Sequence, residues 1–505
     1  MLRSTFLGYK TATSALRVSQ NQMDVVGQNI SNVKTEGYTR QRLDINSVSF
    51  NTSSLKFGTN GVIIGQGVEA SGISQYRDSF LDLRYRMESA KAGKEEVEFE
   101  SLSDLESVLD EISKDKLENQ FSELTKKLHA LTGSPSDPVL EGVVRTSASM
   151  LCQMFNDYSK NINKVNEQQQ SYLKNEAVVE VNQLMKNISE LNQQIREDNI
   201  SGNPALELND KRNTMIDKLS SYLDIEVNIT PVSIGGGKTI DELSIKLRDN
   251  DMMLVNGKQY AEISSTGKDV KLTKTIDTTA VGEDLTNVIK KGKIAGYLNF
   301  INGKGEFATS TESSYRGVQY YSSMVDTLAN KFADLMNKAN STDPANPLAK
   351  PLFEARGGGD ITAGNIKISD AWQNTSESYI TNTKSAPGTD NTGATDNILK
   401  MISLFKDKQD FNSPSSITLF KGTMQEFMTY TITNLNLQTE DAENSFDTYS
   451  ETQNQIDYAR SSLSSIDLNE EGVNMLQYSK SYNAAARLMT TLDEMLDTLI
   501  NRMAV

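Results

Sequence analysis

Apolar residues recur every seven positions at both ends of the chain. Leu2, Tyr9, Leu16, Met23 and Ile30 fall on one line, and Thr5, Ala12, Ser19, Val26 and Val33 fall three residues on. This spacing predicts a coiled-coil-like helix over residues 1–35. Asn29, Asn32 and Thr35-Glu36-Gly37 end it, because they are poor helix residues and Gly37 can take the positive φ of a stop. A second pair of lines runs through Leu468, Met475, Tyr482, Met489, Leu496 and Met503, with Glu471, Tyr478, Ala485, Leu492 and Leu499 three residues on. It predicts a matching helix over residues 466–505. Helices that enter and leave one body lie antiparallel. Their seam can close within one molecule or face other copies, and periodicity allows both.

Between the ends the period is also helical. Leu102, Leu105, Leu109, Leu117, Phe121, Leu124, Leu128 and Leu131 precede a break at Gly133-Ser134-Pro135. A helix then runs from about Glu141 to Asn199, near 90 Å at ~1.5 Å per residue, which is rod-like. From Ile225 the period shortens to two: Ile225, Val227, Ile229; then Leu243, Ile245, Leu247; then Val270, Leu272. Gly235-Gly236-Gly237, Asn256-Gly257 and Gly267 punctuate these short strands. Helix returns over 315–340, then 396–405, and finally 423–464. The predicted class is α+β, mainly α: terminal heptad helices, long antiparallel helices in a rod-like body, and an inserted β-rich outer domain. The terminal helices are 1–35 with 466–505. The helical rod is 36–224 with 311–344 and 416–465. The outer insertion is 225–310 with 345–415.

Composition narrows the chemistry. With 51 Lys and Arg against 67 Asp and Glu in 505 residues, the net charge of −16 disfavours nucleic acid and anionic lipid as partners. One Cys (Cys152) excludes an internal disulfide, and one His (His129) beside it excludes a zinc cluster. No run of 18 apolar residues predicts a membrane span, and no cleavable secretory signal is visible.

No catalytic or cofactor motif stands. Gly235-Gly236-Gly237-Lys238-Thr239 lacks the upstream glycine of a phosphate loop, since Val232 holds that place, and reads as a hairpin tip. Gly65-Gln66-Gly67-Val68-Glu69-Ala70 has no helix opening after it. Asp249-Asn250-Asp251 is followed by Met253 and Val255 where calcium ligands belong. His129 has no positioned partner, Cys152 reads as core, and Trp372 reads as a local core anchor. Glu470 and Glu471 are adjacent, so on a helix they point apart and suit its acidic first turn. An enzyme is not expected, and neither is a cofactor or metal.

The residues around the first helix end are specific. Asn29-Ile30-Ser31-Asn32-Val33-Lys34-Thr35-Glu36-Gly37-Tyr38-Thr39-Arg40 resembles the motif N-I-x-N-x-x-T-x-G-Y-x-R of bacterial flagellar axial proteins. Asn29, Asn32, Thr35, Gly37, Tyr38 and Arg40 are the matching positions. The stretches Leu468–Tyr478, Tyr482–Ala486 and Leu492–Leu499 resemble the same family's C-terminal motif. Tyr38-Thr39-Arg40-Gln41-Arg42, Leu208-Asn209-Asp210-Lys211-Arg212-Asn213 and Ala329-Asn330-Lys331-Phe332-Ala333 with Asn337 resemble its hook-associated branch, at the hook–filament junction. Glu36, Asn469 and Ser465 depart from the residues common there.

The resemblance implies a structural subunit that joins hook to filament after unfolded export through the flagellar type III apparatus. It implies a secreted protein of the extracellular flagellum. Its implied partners are other copies in a homo-oligomeric ring, the hook protein, and the neighbouring hook-associated protein and filament. A cytoplasmic export chaperone is implied at the C-terminal helix. Neither nucleic acid nor membrane insertion is expected. The expected subunit interface is Leu2, Tyr9, Leu16, Met23, Ile30, Met475, Tyr482, Met489, Leu492, Leu496 and Leu499. Two other readings stand beside this one: another axial protein such as a hook or rod subunit, and a secreted coiled-coil adhesin with its binding head at 225–310.

Overall fold

The structure is a computed structural model that describes residues 5–48, 67–111, 114–235, 238–276, 281–309, 312–342, 349–384, 393–413 and 417–498. Leu2, Leu499 and Met503 of the predicted seams lie outside these residues, as do Gly236 and Gly237 of the predicted hairpin tip. The fold is 62% helix and 15% strand, α+β and mainly α.

Helix α1 (Thr5–Ser31) and helix α12 (Leu468–Asp497) pack antiparallel. Leu492 lies against Gly8 at one end, and Glu471 meets Asn29 at the other. After α1, strands β1 (Gln41–Ser47) and β2 (Val68–Gln75) form an antiparallel hairpin, with Gln41 opposite Gln75 and a bulge at Asp44/Ile45. The sequence placed 36–78 in a helical rod. The hairpin forms instead at the joint between the terminal pair and the body, where more than half of its strand residues are exposed.

The body is built on two long supports. Helices α2 (Ser79–Glu111) and α11 (Met424–Ser464) pair antiparallel. Asp82 bonds Arg460 near one end, and Lys91 lies over Tyr449 further along. A capping box starts α11: Thr423 accepts from the N–H of Glu426, and Glu426 accepts from that of Thr423. The predicted 141–199 helix is a continuous helical run from 138 to 201. It comprises α4 (Pro138–Tyr172), one π turn (Leu173–Ala177) and α5 (Val178–Ser201). Asp137 caps its start ahead of Pro138, and Gly202 ends it at φ 88°. Helices α3 (Lys114–Thr132), α6 (Leu206–Tyr222), α7 (Lys293–Asn302) and α8 (Val318–Asn340) complete the body.

Two groups of strands flank opposite ends of the α4–α5 run. Strands β3 (Ile225–Gly235), β4 (Lys238–Leu247), β5 (Met253–Asn256) and β6 (Gln259–Tyr260) form an antiparallel sheet, followed by the pair β7 (Glu262–Ser264) and β8 (Lys271–Lys274). Asn182 of α5 exchanges hydrogen bonds with the backbone of Ile263, at 2.7 and 2.9 Å, and Asn192 donates to the carbonyl of Gly257. Strands β9 (Phe353–Ala355) and β10 (Ile366–Ile368) instead lie against α4, where Asn156 donates to the carbonyl of Ile366. Short helices α9 (Asp370–Gln373) and α10 (Asp396–Ser403) and the hairpin of β11 (Gln409–Asn412) and β12 (Thr418–Gly422) follow. The two stretches grouped in sequence as one outer insertion thus pack at different places. Within the first of them α7 is a body helix against α2, where Gly296 lets the backbones approach: a Cβ there would stand 2.7 Å from the Lys94 carbonyl oxygen.

One apolar core runs through the body. Phe121, Phe332 and Phe405 cluster with centroids 5.8–6.2 Å apart, and Phe353 bridges Phe332 to Trp372. Trp372 is the anchor expected. Its indole N–H donates at 2.7 Å to Glu141, a fully buried carboxylate in the first turn of α4. Glu141 also accepts from the Ser378 hydroxyl and from the N–H groups of Tyr379 and Ile380.

Candidate assembly site at the paired termini

The residues of the N-terminal motif meet where α1, the β1–β2 hairpin and α12 converge. Asn29 is 1% exposed. Its Nδ2 donates to the Gln41 carbonyl at 3.0 Å and to Glu471 Oε2 at 3.2 Å. Its Oδ1 accepts from the Gln41 N–H at 3.0 Å and from the Tyr38 hydroxyl at 3.2 Å. Every donor and acceptor of this buried amide is therefore used. Asn32 and Thr35 close the turn after α1, with the Thr35 N–H on the Asn32 carbonyl and the Thr35 hydroxyl on Asn32 Oδ1. Gly37 has φ 75°, and a Cβ there would stand 2.3 Å from Thr214 Oγ1, so side chain and backbone both demand glycine.

Arg40 ties the two ends of the chain. Its Nε donates to Glu471 at 2.9 Å, and its Nη2 stands 2.7 Å from Glu471 and 2.8 Å from Glu470. Its backbone N–H donates to the Ser464 carbonyl at the end of α11. Burial works against the Arg40 charge, but the bonds to Glu470 and the charge of Glu471 outweigh it, and its pKa rises above the ordinary arginine value. Sequence reasoning took Glu470 and Glu471 as pointing apart. One guanidinium fork reaches both, because it approaches from the side between them. Glu471 was missed as a site residue; a carboxylate at 1% exposure carries no mark in the sequence that separates it from its exposed neighbour.

Of the predicted interface, Leu16, Met23, Ile30, Met475, Met489, Leu492 and Leu496 are half-buried, while Tyr9 and Tyr482 are exposed. The residues buried deepest along the predicted seam lines are the small ones: Ala12, Ser19 and Val26 on α1 and Ala485 on α12. The seam therefore closes within one chain along its narrow ridge. That leaves α12 with two buried residues, Glu471 and Ala485. Val473, Leu476, Leu488 and Met495 lie on its other side, and Val473 and Leu476 are 63% and 64% exposed.

A charged joint connects this pair to the body. Arg77 bonds Asp82 at 2.6 Å, Arg460 bonds Asp82 at 3.0 Å and Asp217 at 2.6 Å, and Arg86 bonds Asp217 at 2.7 Å. Arg77, Asp82, Asp217 and Arg460 line a cleft of about 490 Å³ together with Gly37, Tyr38 and Thr39. Asp210 of α6 accepts from the Thr39 N–H and from Gln75. Burial, with Glu207, Asp210 and Glu471 nearby, pushes the Tyr38 hydroxyl well above the usual tyrosine range.

The chemical candidates fall elsewhere. His129 is exposed in the last turn of α3. Cys152 is buried in α4, which pushes its thiol up to about 12. Among the described residues no group of three or more His, Cys, Asp and Glu could hold a metal, and no helix is long and apolar enough to cross a membrane.

The comparisons with known proteins agree with this arrangement. The family model described as flagellar hook-associated protein FlgK helical domain matches residues 102–345. The models for the flagellar basal body rod FlgEFG protein C-terminal region and the flagella basal body rod protein match residues 459–503 and 10–39, the two members of the terminal pair. Flagellar hook-associated protein 1 of Bacillus subtilis (strain 168) is 27% identical over a 523-residue alignment that covers 100% of this chain and 99% of the relative. The protein of that name from Salmonella typhimurium is 24% identical over 296 residues, 57% of this chain and 50% of the relative. A solved structure, the flagellar hook junction protein FlgK from Burkholderia pseudomallei, shares the fold with a TM-score of 0.55 at 10% identity, over 75% of this chain and 100% of that one. With its terminal pair, helical middle and full length each matched, the chain belongs to the flagellar rod, hook and hook-associated axial proteins, in the hook-associated protein 1 branch.

Proposed function

We propose that this chain is a structural subunit joining hook to filament, assembled into a ring through its terminal helix pair after export through the flagellar type III apparatus. The observation that carries the reading is the one-sided burial of α12. One face is closed by α1 and locked by Arg40 and Asn29, while Val473, Leu476, Leu488 and Met495 stay in solvent. A row of large apolar side chains on a terminal helix is a surface that association would cover, each gaining ~1.5–3 kcal/mol when fully buried. The predicted seam residues contribute from their half-exposed edges, Tyr9 and Tyr482 most of all. The neighbours of such a ring are the hook protein on one side and the next hook-associated protein and filament on the other. The same uncovered face of α12 is the part an export chaperone would hold before secretion.

Deletion of the gene tests the reading. Cells lacking the protein should build hooks that carry no filament, release filament subunits into the medium and fail to swim. Deletion cells that swim with normal filaments would overturn it. An adhesin would give that second result.

A further inference from the structure

The proposed ring leaves open which surfaces of the body meet, and the charge distribution supplies a pair. A cleft of about 470 Å³ lies between α4 and the β9–β10 hairpin. Its lining carries Arg145, Arg356 and Lys367 against a single carboxylate, Asp157. Lys367 is already held by Glu354 and Asp370. Arg145 and Arg356 have no carboxylate partner among the described residues. Arg145 donates from Nη1 to the Gln373 carbonyl at 3.1 Å, and its Nε is buried with no partner. A buried guanidinium N–H without an acceptor is costly, and no carboxylate among the described residues offsets the charge of Arg145.

The complementary surface is on α11. Glu440, Glu443, Asp447 and Glu451 are all exposed, and none forms an ion pair among the described residues. Their spacing of three and four puts them on one face of the helix, as a stripe about 16 Å long. In an isolated chain this row of like charges repels itself without compensation.

We propose that the Arg145–Arg356 cleft of one copy receives the acidic α11 stripe of the next copy. The two surfaces are different, so the contact is head-to-tail and repeats from copy to copy until the ring closes. The inference rests on the ring reading above. It adds a second contact, in the body, to the apolar one at the termini, and gives the ring a single direction around its axis.

Sedimentation velocity on the full chain at low salt and at about 0.5 M salt tests it. Self-association should weaken with salt. The triple variant E440K/E443K/D447K and the double variant R145E/R356E should each associate about tenfold more weakly. R356E alone, at an exposed position that cannot perturb the fold, should show part of the loss. Mixing the triple and double variants should restore association, since the reversed stripe then faces the reversed cleft. Association that is unchanged in both variants, or that mixing does not restore, overturns the proposal. So does full association by R145E/R356E with hook–filament attachment lost, which would assign the cleft to a different protein. The ring reading falls separately, through swimming by the deletion strain.

Discussion

The backbone N–H of Thr39 donates to Asp210 Oδ2 at 3.0 Å, while Asp210 Oδ1 has no hydrogen-bond partner and stands 3.9 Å from Arg77 Nη1. This carboxylate, 4% exposed on α6, is the body's contact with the loop that follows α1. Burial pushes its pKa up to about 6, against the bonds from Thr39, the charge of Arg77 and the bond from Gln75. The Tyr38 hydroxyl also lies near it. The folded pKa exceeds the unfolded value of ~4, so the folded joint binds the proton more tightly. The stability this group contributes is fully present below ~4 and is lost as pH rises through about 6. Hydrogen exchange in α1 and the first turns of α12, corrected for the intrinsic rate, should therefore show the joint loosening between about pH 4 and pH 6, with no further change above that. Asp210→Asn keeps an acceptor for Thr39 and should flatten that dependence. An equally steep dependence in the variant would remove Asp210 from the account.

Arg40→Ala should open the terminal pair and leave the body folded. The substitution strips Glu471, with 2% of its side chain exposed, of its cation while Asn29 remains. Removing one partner of a buried pair costs roughly 3–5 kcal/mol, because the other charge stays buried. Light proteolysis should then cut within α1 and α12 much faster than in the wild type, while the fragment spanning α2 to α11 survives. Wild-type cleavage rates at both ends would show that Arg40 does not hold the pair.

Long helices and their ends were legible in the sequence for a physical reason. Asp137-Pro138, Gly202 and Thr423 with Glu426 are local signals, and each acts within a few residues. The heptad lines were legible too, but not which line is covered. A single partner helix covers one narrow ridge, and here the small residues Ala12, Ser19 and Val26 occupy it while Leu16, Met23 and Ile30 lie at its edge. Glu141 and Glu471 were illegible because their donors come from 231 and 431 residues away. Each reads as an ordinary acidic residue in a helix's first turn.

Glu141→Ala should lower the stability of the body by about 3–5 kcal/mol. The change leaves the Trp372 indole, the Ser378 hydroxyl and the N–H groups of Tyr379 and Ile380 without their acceptor. Glu141→Gln retains one acceptor oxygen and should cost less. The chain has one tryptophan, so the fluorescence of Trp372 reports this site alone. Its emission should shift to the red in Glu141→Ala as the 370–381 segment loosens. Unchanged emission together with wild-type stability would mean the carboxylate is not what holds the segment.

The two faces of α12 make different predictions for the same kind of substitution. Leu492 packs on Gly8 within the chain, so Leu492→Asp places a carboxylate against α1 and should destabilise the terminal pair itself. Val473 and Leu476 lie on the solvent side, so Val473→Asp/Leu476→Asp should leave the isolated chain's thermal stability and helix content unchanged. In an assembled ring that second face would be covered, and two unpaired carboxylates there would each cost several kcal/mol. Cells carrying the Val473→Asp/Leu476→Asp variant should make the protein at normal levels yet form hooks without filaments. Leu492→Asp should also show faster proteolysis of α1 in the purified chain. Normal swimming with the Val473/Leu476 double variant would show that the outer face of α12 meets nothing in the flagellum. A loss of stability in the isolated double variant would instead place those two side chains inside the fold.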